Sequence, residues 1–410
     1  MTGAGNAADR HRKAPSDRPA RTPLTSRAEN PATAPPYALL SVYRPDISRA
    51  LADMGAPSYR LTQVYEHLVR RPLRPFTEAT ALPAATREAL AGLGESTLTL
   101  ADSLSSVDRT TKLLLSTRDG TLTESVVMRY RERVTVCIST QVGCPVGCGF
   151  CATGAMGFRR NLSTAEIIDQ VLTASALIGE EGRRISNLVY MGMGEPLLNL
   201  QAVLESIRVL TDPDGLGLAH RALSVSTIGI PSGILRLARA EPQVNLAVSL
   251  HAADDRTRAL MVPKSSRYSL SEILEAAWDH FDLTHRKLLV EYVLLDGIND
   301  SVDDARRLAS LLRGHVVAVN LLAWNPVPQL GRRGARHLAE AKDGAAPPSS
   351  FRRSGPAAVA AFRQTLLRAG IEAVVRQSKG SGIQAACGQL AGQRQSYRRE
   401  DPWTERATAE

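Results

Sequence analysis

The sequence predicts an α/β fold, a full or partial β/α barrel preceded by a small N-terminal helical domain. Three observations carry this expectation. From residue 134 to residue 376, short apolar runs of strand length alternate with amphipathic stretches of helix length. A hairpin pattern, turning at Asp119-Gly120, stands just before that alternation. Ahead of both, residues 46–93 show helical periodicity and no strand pattern.

The elements follow in order. Residues 1–36 are rich in Ala, Pro, Thr, Arg and Asp without hydrophobic periodicity, and read as a disordered basic arm. Helices are expected at Asp46–Gly55, Arg60–Val69 and Pro83–Leu93, within a helical domain spanning 37–100. Strands follow at Lys112–Ser116, Thr121–Arg129 and Val134–Thr140, opening a barrel domain of residues 101–392. Its alternation then runs through helix Thr164–Leu177, strand Asn187–Met191, helix Leu200–Leu210 and strands Ala222–Thr227 and Asn245–Leu250. Helix Leu270–Phe281, strand Lys287–Leu294, helix Asp303–Leu312, strand Val316–Leu321, helix Ala357–Ala369 and strand Glu372–Arg376 complete it. Residues 329–356, rich in Gly, Ala, Arg, Pro and Ser, interrupt the pattern as a long insert, and 393–410 read as a frayed tail. A barrel of this kind gathers its chemistry at the C-terminal ends of its strands.

Composition narrows the setting. No apolar run is long enough to span a bilayer, and the N-terminus lacks the apolar core of a signal peptide, so a cytoplasmic protein is expected. The formal charge of +9 suits a polyanionic partner, although Arg10–Lys13 and Arg394–Arg399 place part of it in the tails. Of the five cysteines, Cys137, Cys144, Cys148 and Cys151 lie close together and Cys387 far downstream. An odd, clustered count fits metal or redox chemistry in a reducing compartment better than a disulfide framework.

Cys144, Cys148 and Cys151 form a C-x3-C-x2-C pattern on a Gly-rich loop just after a strand. Three thiolates from one loop can bind three irons of a [4Fe–4S] cluster and leave the fourth open. S-adenosylmethionine (SAM) can chelate that iron, and the cluster's electron then cleaves it to a 5′-deoxyadenosyl radical. A zinc ribbon would need a second C-x2-C pair or histidine partners, which this spacing does not offer.

Around this loop, Cys144-Pro145, Phe150-Cys-Ala-Thr-Gly-Ala-Met-Gly-Phe-Arg-Arg-Asn161 and Leu162-Ser-Thr-Ala-Glu-Ile167 resemble the RlmN/Cfr family of radical-SAM RNA adenine methyltransferases. Gly192-Met-Gly-Glu-Pro-Leu-Leu-Asn199, Ser226-Thr-Ile-Gly229, Ser249-Leu-His-Ala252, Trp324-Asn-Pro326 and Ala385-Ala-Cys-Gly-Gln-Leu-Ala391 extend the resemblance over roughly residues 38–392. The segment Tyr59-Arg-Leu-Thr-Gln-Val-Tyr65 is similar to the family's accessory domain, which helps hold RNA. Two stretches depart from the pattern. Residues 328–362 are longer than expected, and Gly380-Ser-Gly-Ile-Gln384 stands where relatives often carry acids.

The resemblance implies two SAM molecules per turnover and one cluster held by Cys144, Cys148 and Cys151. One SAM methylates Cys387, and the second yields the radical that activates this S-methyl group. The resulting methylene radical adds to an adenine carbon. Cys137 then attacks Cys387, leaving a transient disulfide and the methylated base. It further implies Glu124 as proton acceptor, and Gly194, Glu195, Ser226, Ser249, Leu250, His251 and Asn325 as SAM contacts. The implied substrate is an adenine of 23S ribosomal RNA, with transfer RNA a second possibility, methylated at C2. Methylation at C8 and a non-catalytic RNA-binding homologue are the alternatives. Flavodoxin or ferredoxin would supply electrons, and a monomer is expected. Arg129–Arg133, Arg159, Arg160, Arg352 and Arg353 are candidate phosphate contacts.

Overall fold

Ten strands form one continuous sheet in the computed structural model, which describes residues 44–70, 76–91, 96–213, 215–263, 267–327 and 351–392. The arm of 1–36, most of the 329–356 insert and the 393–410 tail lie outside the described residues.

Helices α1 (Arg44–Asp53), α2 (Tyr59–Arg70) and α3 (Ala84–Ala91) come first. Leu51, Val64, Phe76, Ala79, Leu82 and Leu90 form their own small core. This separate core supports the proposed helical domain, although these helices and the sheet belong to one compact unit.

The antiparallel part of the sheet is β1 (Leu98–Ser105), β2 (Thr110–Thr117) and β3 (Leu122–Arg129). Between β2 and β3 the chain turns at Asp119-Gly120, with Gly120 at φ +77°. Strand β1 corrects the sequence reading. It is an edge strand with only Leu98 fully buried and a register shift between Leu100 and Asp102, so no clean alternation announces it. It also opens inside the segment assigned to the helical domain.

The parallel part runs β4 (Val134–Cys137), β7 (Asn187–Tyr190), β8 (Leu223–Thr227), β9 (Asn245–Ser249), β10 (Leu288–Leu294), β11 (Val317–Ala323) and β12 (Glu372–Val375). Every adjacent pair among these is parallel. Strands β1 and β12 end the sheet, so among the described residues the barrel is partial. A short ribbon, β5 (Gln141–Gly143) with β6 (Phe158–Asn161), stands apart.

Helices α4 (Ala152–Met156), α5 (Thr164–Gly179), α6 (Leu200–Thr211), α7 (Pro231–Ala240), α8 (Asp255–Met261), α9 (Leu270–Thr284), α10 (Val302–Leu312) and α11 (Pro356–Arg368) connect the strands. Capping boxes start three of them: Ser163 with Glu166, Ser269 with Glu272, and Ser301 with Asp304. Helix α7 is absent from the sequence reading, yet Pro231 at its first turn and buried Ile234, Leu237 and Ala238 at helical spacing mark it. Leu, Val, Ile and Ala dominate the main core, as the scarcity of aromatics requires.

A buried ion pair stiffens the antiparallel part. Lys112 Nζ on β2 lies 3.2 Å from Glu124 Oε1 on β3, and neither residue is more than 4% exposed. Lys112→Met leaves that carboxylate without its cation. We expect a loss of about 3–5 kcal/mol in stability, measured by denaturant unfolding.

Candidate active site

The cysteine loop leaves the C-terminal end of β4. Its entrance needs glycine: Gly143 has φ +74°, and a Cβ there would fall 1.8 Å from the Gly157 carbonyl oxygen. Cys144 N–H donates to that carbonyl at 3.0 Å, and Gly149 N–H donates to the Met261 carbonyl at 3.0 Å. The loop is thereby tied to the turn at Gly157, just before β6, and to the end of α8. Cys144, Val146 and Phe150 pack with Met261, Val262, Val293 and Trp324. Trp324 donates its indole N–H to the Phe150 carbonyl at 2.9 Å.

Burial pushes the Cys144 thiol up to about 12, and it raises Cys148 and Cys151 as well. The charge of Cys151 adds to the rise at both Cys144 and Cys148, so the three thiols share one neighbourhood. Among the described residues no three His, Cys, Asp or Glu side chains converge closely enough for a single ion. A cubane asks for something different, one thiolate on each of three irons. The donor set of soft sulfurs on one short, tethered loop fits that demand.

Cys387 sits on a strap, residues 376–392, that crosses the mouth of the barrel. Asp108 anchors its start by accepting the Gly380 N–H at 2.8 Å. Burial alone would raise the Asp108 carboxyl, but bonds from Ser106, Gly380 and Thr110 hold it down at about 2. Over the cysteine loop, Ala152 N–H donates to the Gly388 carbonyl at 2.7 Å and Thr153 Oγ1 to the Leu390 carbonyl at 2.6 Å. Glu124 Oε2 closes the strap by accepting from Ala391 N–H at 2.7 Å and Gly392 N–H at 3.2 Å. In this arrangement Glu124, expected as a proton acceptor, clamps the strap and pairs with Lys112.

Cys387 is exposed as a residue, while its thiol is enclosed by protein. Burial pushes its thiol up to about 11, the negative charge of Glu291 adds to this, and Cys151 contributes as well. Cys137, at the end of β4, is buried, and its thiol is raised by burial and by Cys387. Cys387 therefore lies within electrostatic reach of both Cys151 and Cys137.

The expected SAM contacts fall at strand ends, with varied surroundings. Ser226 and Ser249 face one another at 3.2 Å between their hydroxyls and are half-buried. Gly192 and Gly194 follow β7, where Cβ atoms would collide with the Ile138 carbonyl and with Gln141. The Met193 carbonyl accepts from Thr140 N–H and Gln141 N–H, so the glycines serve close packing on the exit of β4. Glu195 is 3% exposed. Its carboxyl, raised by burial to about 7, accepts from Leu197 N–H at 3.0 Å and Ile228 N–H at 2.8 Å.

Leu250 is fully buried, and its N–H is bonded to the Glu291 carbonyl. His251 has φ +62°, an uncommon backbone state for a residue with a side chain. Its Nδ1 accepts the Val293 N–H at 3.1 Å, its ring meets Phe150 edge-on, and burial holds it neutral, with its pKa lowered to about 3. With Nδ1 accepting, Nε2 is assigned the proton and is the ring's donor. Asn325 Nδ2 holds the Cys387 carbonyl at 3.2 Å, while its Oδ1 is buried with no hydrogen-bond partner. An acceptor aimed at no protein donor suits a ligand N–H or O–H.

Two groups in this cleft escape the sequence reading. Glu291 on β10 accepts from Asn320 Nδ2 at 2.7 Å, and burial raises its carboxyl. Arg258 on α8 is 1% exposed. A buried carboxylate in an apolar strand and an arginine in a short helix each read as solvated charge until the fold turns them inward. The arginine candidates for RNA divide. Arg129 pairs with Glu181, Arg160 with Asp119 and Glu166, and Arg352 with Asp296. Arg159 is exposed beside Phe158, which is 47% exposed at the loop's edge.

Residues 138–309 match the model of the Radical SAM superfamily. A probable dual-specificity RNA methyltransferase RlmN of Thermus thermophilus is 44% identical over 83% of this chain and 90% of its own. One from Frankia alni is 41% identical over 96% of this chain and 91% of its own. The crystal structure of a radical SAM methyltransferase from Sphaerobacter thermophilus superposes with a TM-score of 0.79 at 40% identity, covering 87% of this chain and all of that one. Identity at this level across nearly the whole length places the chain in the RlmN family of the radical SAM superfamily.

Proposed function

We propose that this protein methylates C2 of an adenine in 23S ribosomal RNA, and of transfer RNA as a second substrate, through a methylated Cys387. One observation carries the reading. The Cys387 thiol, on a strap bonded to Asn325 and to Ala152 beside the cluster loop, lies within electrostatic reach of a thiol of that loop, Cys151, and of a second buried thiol, Cys137. A [4Fe–4S] cluster and SAM, when bound, supply methyl donation and hydrogen abstraction. Cys144, Cys148 and Cys151 would hold the cluster. Asn325 Oδ1, His251 Nε2 and the mutually bonded hydroxyls of Ser226 and Ser249 would orient SAM.

The chain's own part follows from its placement. Cys387 lies on an exposed part of the strap, where it would take up a methyl group and then meet a base. Once its methylene carbon is bonded to the adenine, and the adenine carbon has given its proton to Glu124 and the radical's electron to an acceptor such as the oxidised cluster would provide, Cys137 is the neighbouring thiol whose thiolate can attack the Cys387 sulfur. The carbon–sulfur bond breaks with its electron pair left on the carbon, which takes a proton and becomes the methyl group; a Cys137–Cys387 disulfide forms, and a dithiol reductant restores both thiols, while flavodoxin or ferredoxin would supply electrons to the cluster. The base must leave its stack to enter the cleft. Such thiol cycling belongs in a reducing compartment, the cytoplasm.

Nucleoside mass spectrometry tests the proposal. Reconstituted protein is incubated anaerobically with SAM, reductant and unmodified ribosomal and transfer RNA, and the RNA is digested. The expected product is 2-methyladenosine. 8-Methyladenosine would overturn the assigned carbon, and 5′-deoxyadenosine without methylated base would overturn the RNA target.

A further inference from the structure

Arg258 has no counterpart among the residues assigned above, and its setting is unusual. It is among the largest fully buried side chains of the protein, at 1% exposure. Its Nε donates to the Leu250 carbonyl at 3.0 Å, and Nη2 to the carbonyls of Ile228 and of Ser249, the latter at 3.3 Å. These carbonyls lie at or just past the C-terminal ends of β8 and β9, beside the expected SAM contacts. Nη1 is buried with no hydrogen-bond partner. Helix α8, which carries Arg258, ends at Met261, whose carbonyl accepts from Gly149 in the cysteine loop.

Carbonyl acceptors hold a guanidinium in place but do not cancel its charge. A buried cation that keeps an unsatisfied donor is costly unless an anion stands nearby. Arginine cannot escape by releasing its proton under ordinary conditions. The charged groups acting on Arg258 are Cys148, Asp255 and Glu195. Cys148, which the cluster reading makes a ligand, acts most strongly of the three; Asp255 is exposed, and Glu195 is a second, weaker buried counter-charge.

We infer that Arg258 is the fixed counter-charge of the iron–sulfur centre, a positioning residue that favours its reduced state. The inference rests on the cluster reading of Cys144, Cys148 and Cys151. Reduction adds an electron to a centre that three thiolates already make anionic. A buried cation beside one ligand, held immobile by three carbonyls, opposes the build-up of negative charge and raises the reduction potential.

The experiment compares the iron-loaded full chain with Arg258→Gln and Arg258→Lys. Each is reconstituted anaerobically, assayed for iron, and poised at a series of potentials while the reduced cluster is counted by electron paramagnetic resonance. Arg258→Gln loses the charge and is expected to lower the ratio of reduced to oxidised cluster about tenfold at a fixed potential, ~59 mV for a one-electron couple. Arg258→Lys keeps the charge but loses the planar fork, and is expected to stay within about twofold of the parent. A glutamine variant that reduces like the parent overturns the inference, as does a lysine variant displaced as far as the glutamine one, which would assign the effect to carbonyl bonding. Where the glutamine chain does not fold, Arg258→Met takes its place, with the same tenfold loss expected and a parent-like ratio overturning the inference. A parent chain that takes up no iron overturns the cysteine reading and this inference together, whereas a loaded cluster of unchanged potential removes only the latter.

Discussion

Cys387→Ala is expected to reduce RNA methylation to background, a loss of roughly 10⁴-fold or more, while iron content and cluster absorbance match the parent. The separation of the two readouts follows from the strap. Cys387 lies outside the loop of Cys144, Cys148 and Cys151, so its removal takes away no expected ligand. The residue is exposed, and the bonds that fix the strap use backbone groups: Gly380 to Asp108, the Asn325 amide to the Cys387 carbonyl, and Ala391 and Gly392 to Glu124. Those bonds use backbone atoms that alanine retains. A change in stability beyond about 0.5 kcal/mol is therefore not expected. Activity is read by methyl transfer from labelled SAM to RNA, and the cluster by its visible absorbance. Methylation that survives at a tenth of the parent rate would exclude Cys387 as methyl carrier.

Much of this arrangement is legible in the sequence, for reasons that differ by element. The parallel strands announce themselves because both faces are covered, which makes segments such as 245–250 and 316–321 nearly continuous apolar runs. The cluster loop is legible because three cysteines at fixed spacing on a Gly-rich loop have few other uses. Strand β1 is not, since an exposed edge imposes no alternation. Helix α7 has the right spacing of Ile234, Leu237 and Ala238, but it is short and crowded between two strands. Function at single residues is harder to read. Glu124, Glu195 and Asn325 are all buried at the site, yet each also holds backbone, and only packing reveals which atoms are left over. Arg258 and Glu291 matter through what they face, and a sequence records spacing along a chain rather than across a barrel. Cys137 is the sharpest case: burial at a strand end is ordinary for a free thiol, and only the neighbouring Cys387 distinguishes it.

That neighbourhood underlies the second large effect. Cys137→Ala is expected to accumulate a covalent protein–RNA species, stable on a denaturing gel and removed by ribonuclease, with product released at under about one hundredth of the parent rate. Alanine fills the strand end with little disturbance, since Cys137 is 8% exposed and makes no bond that the cluster loop depends on. Cys387 remains free to be methylated and to bond the adenine, so every step before resolution is intact. What is lost is the thiol able to break the bond between the Cys387 sulfur and the substrate carbon. The proton balance gives the adduct a pH signature in the parent enzyme. Burial holds the Cys137 thiol above its ordinary pKa, and this persists in the adduct, where Cys387 is a neutral thioether, so the attacking thiolate is scarce near neutrality and resolution should quicken as pH rises. The alanine variant has no thiol to titrate, and its adduct should persist equally at pH 7 and pH 9. An adduct that fails to form, or one that resolves faster at high pH without Cys137, would assign the resolving step to another group. Glu124 is the buried carboxylate at the far end of the same strap, and a Glu124→Gln, Cys137→Ala double variant would then separate proton removal from sulfur attack.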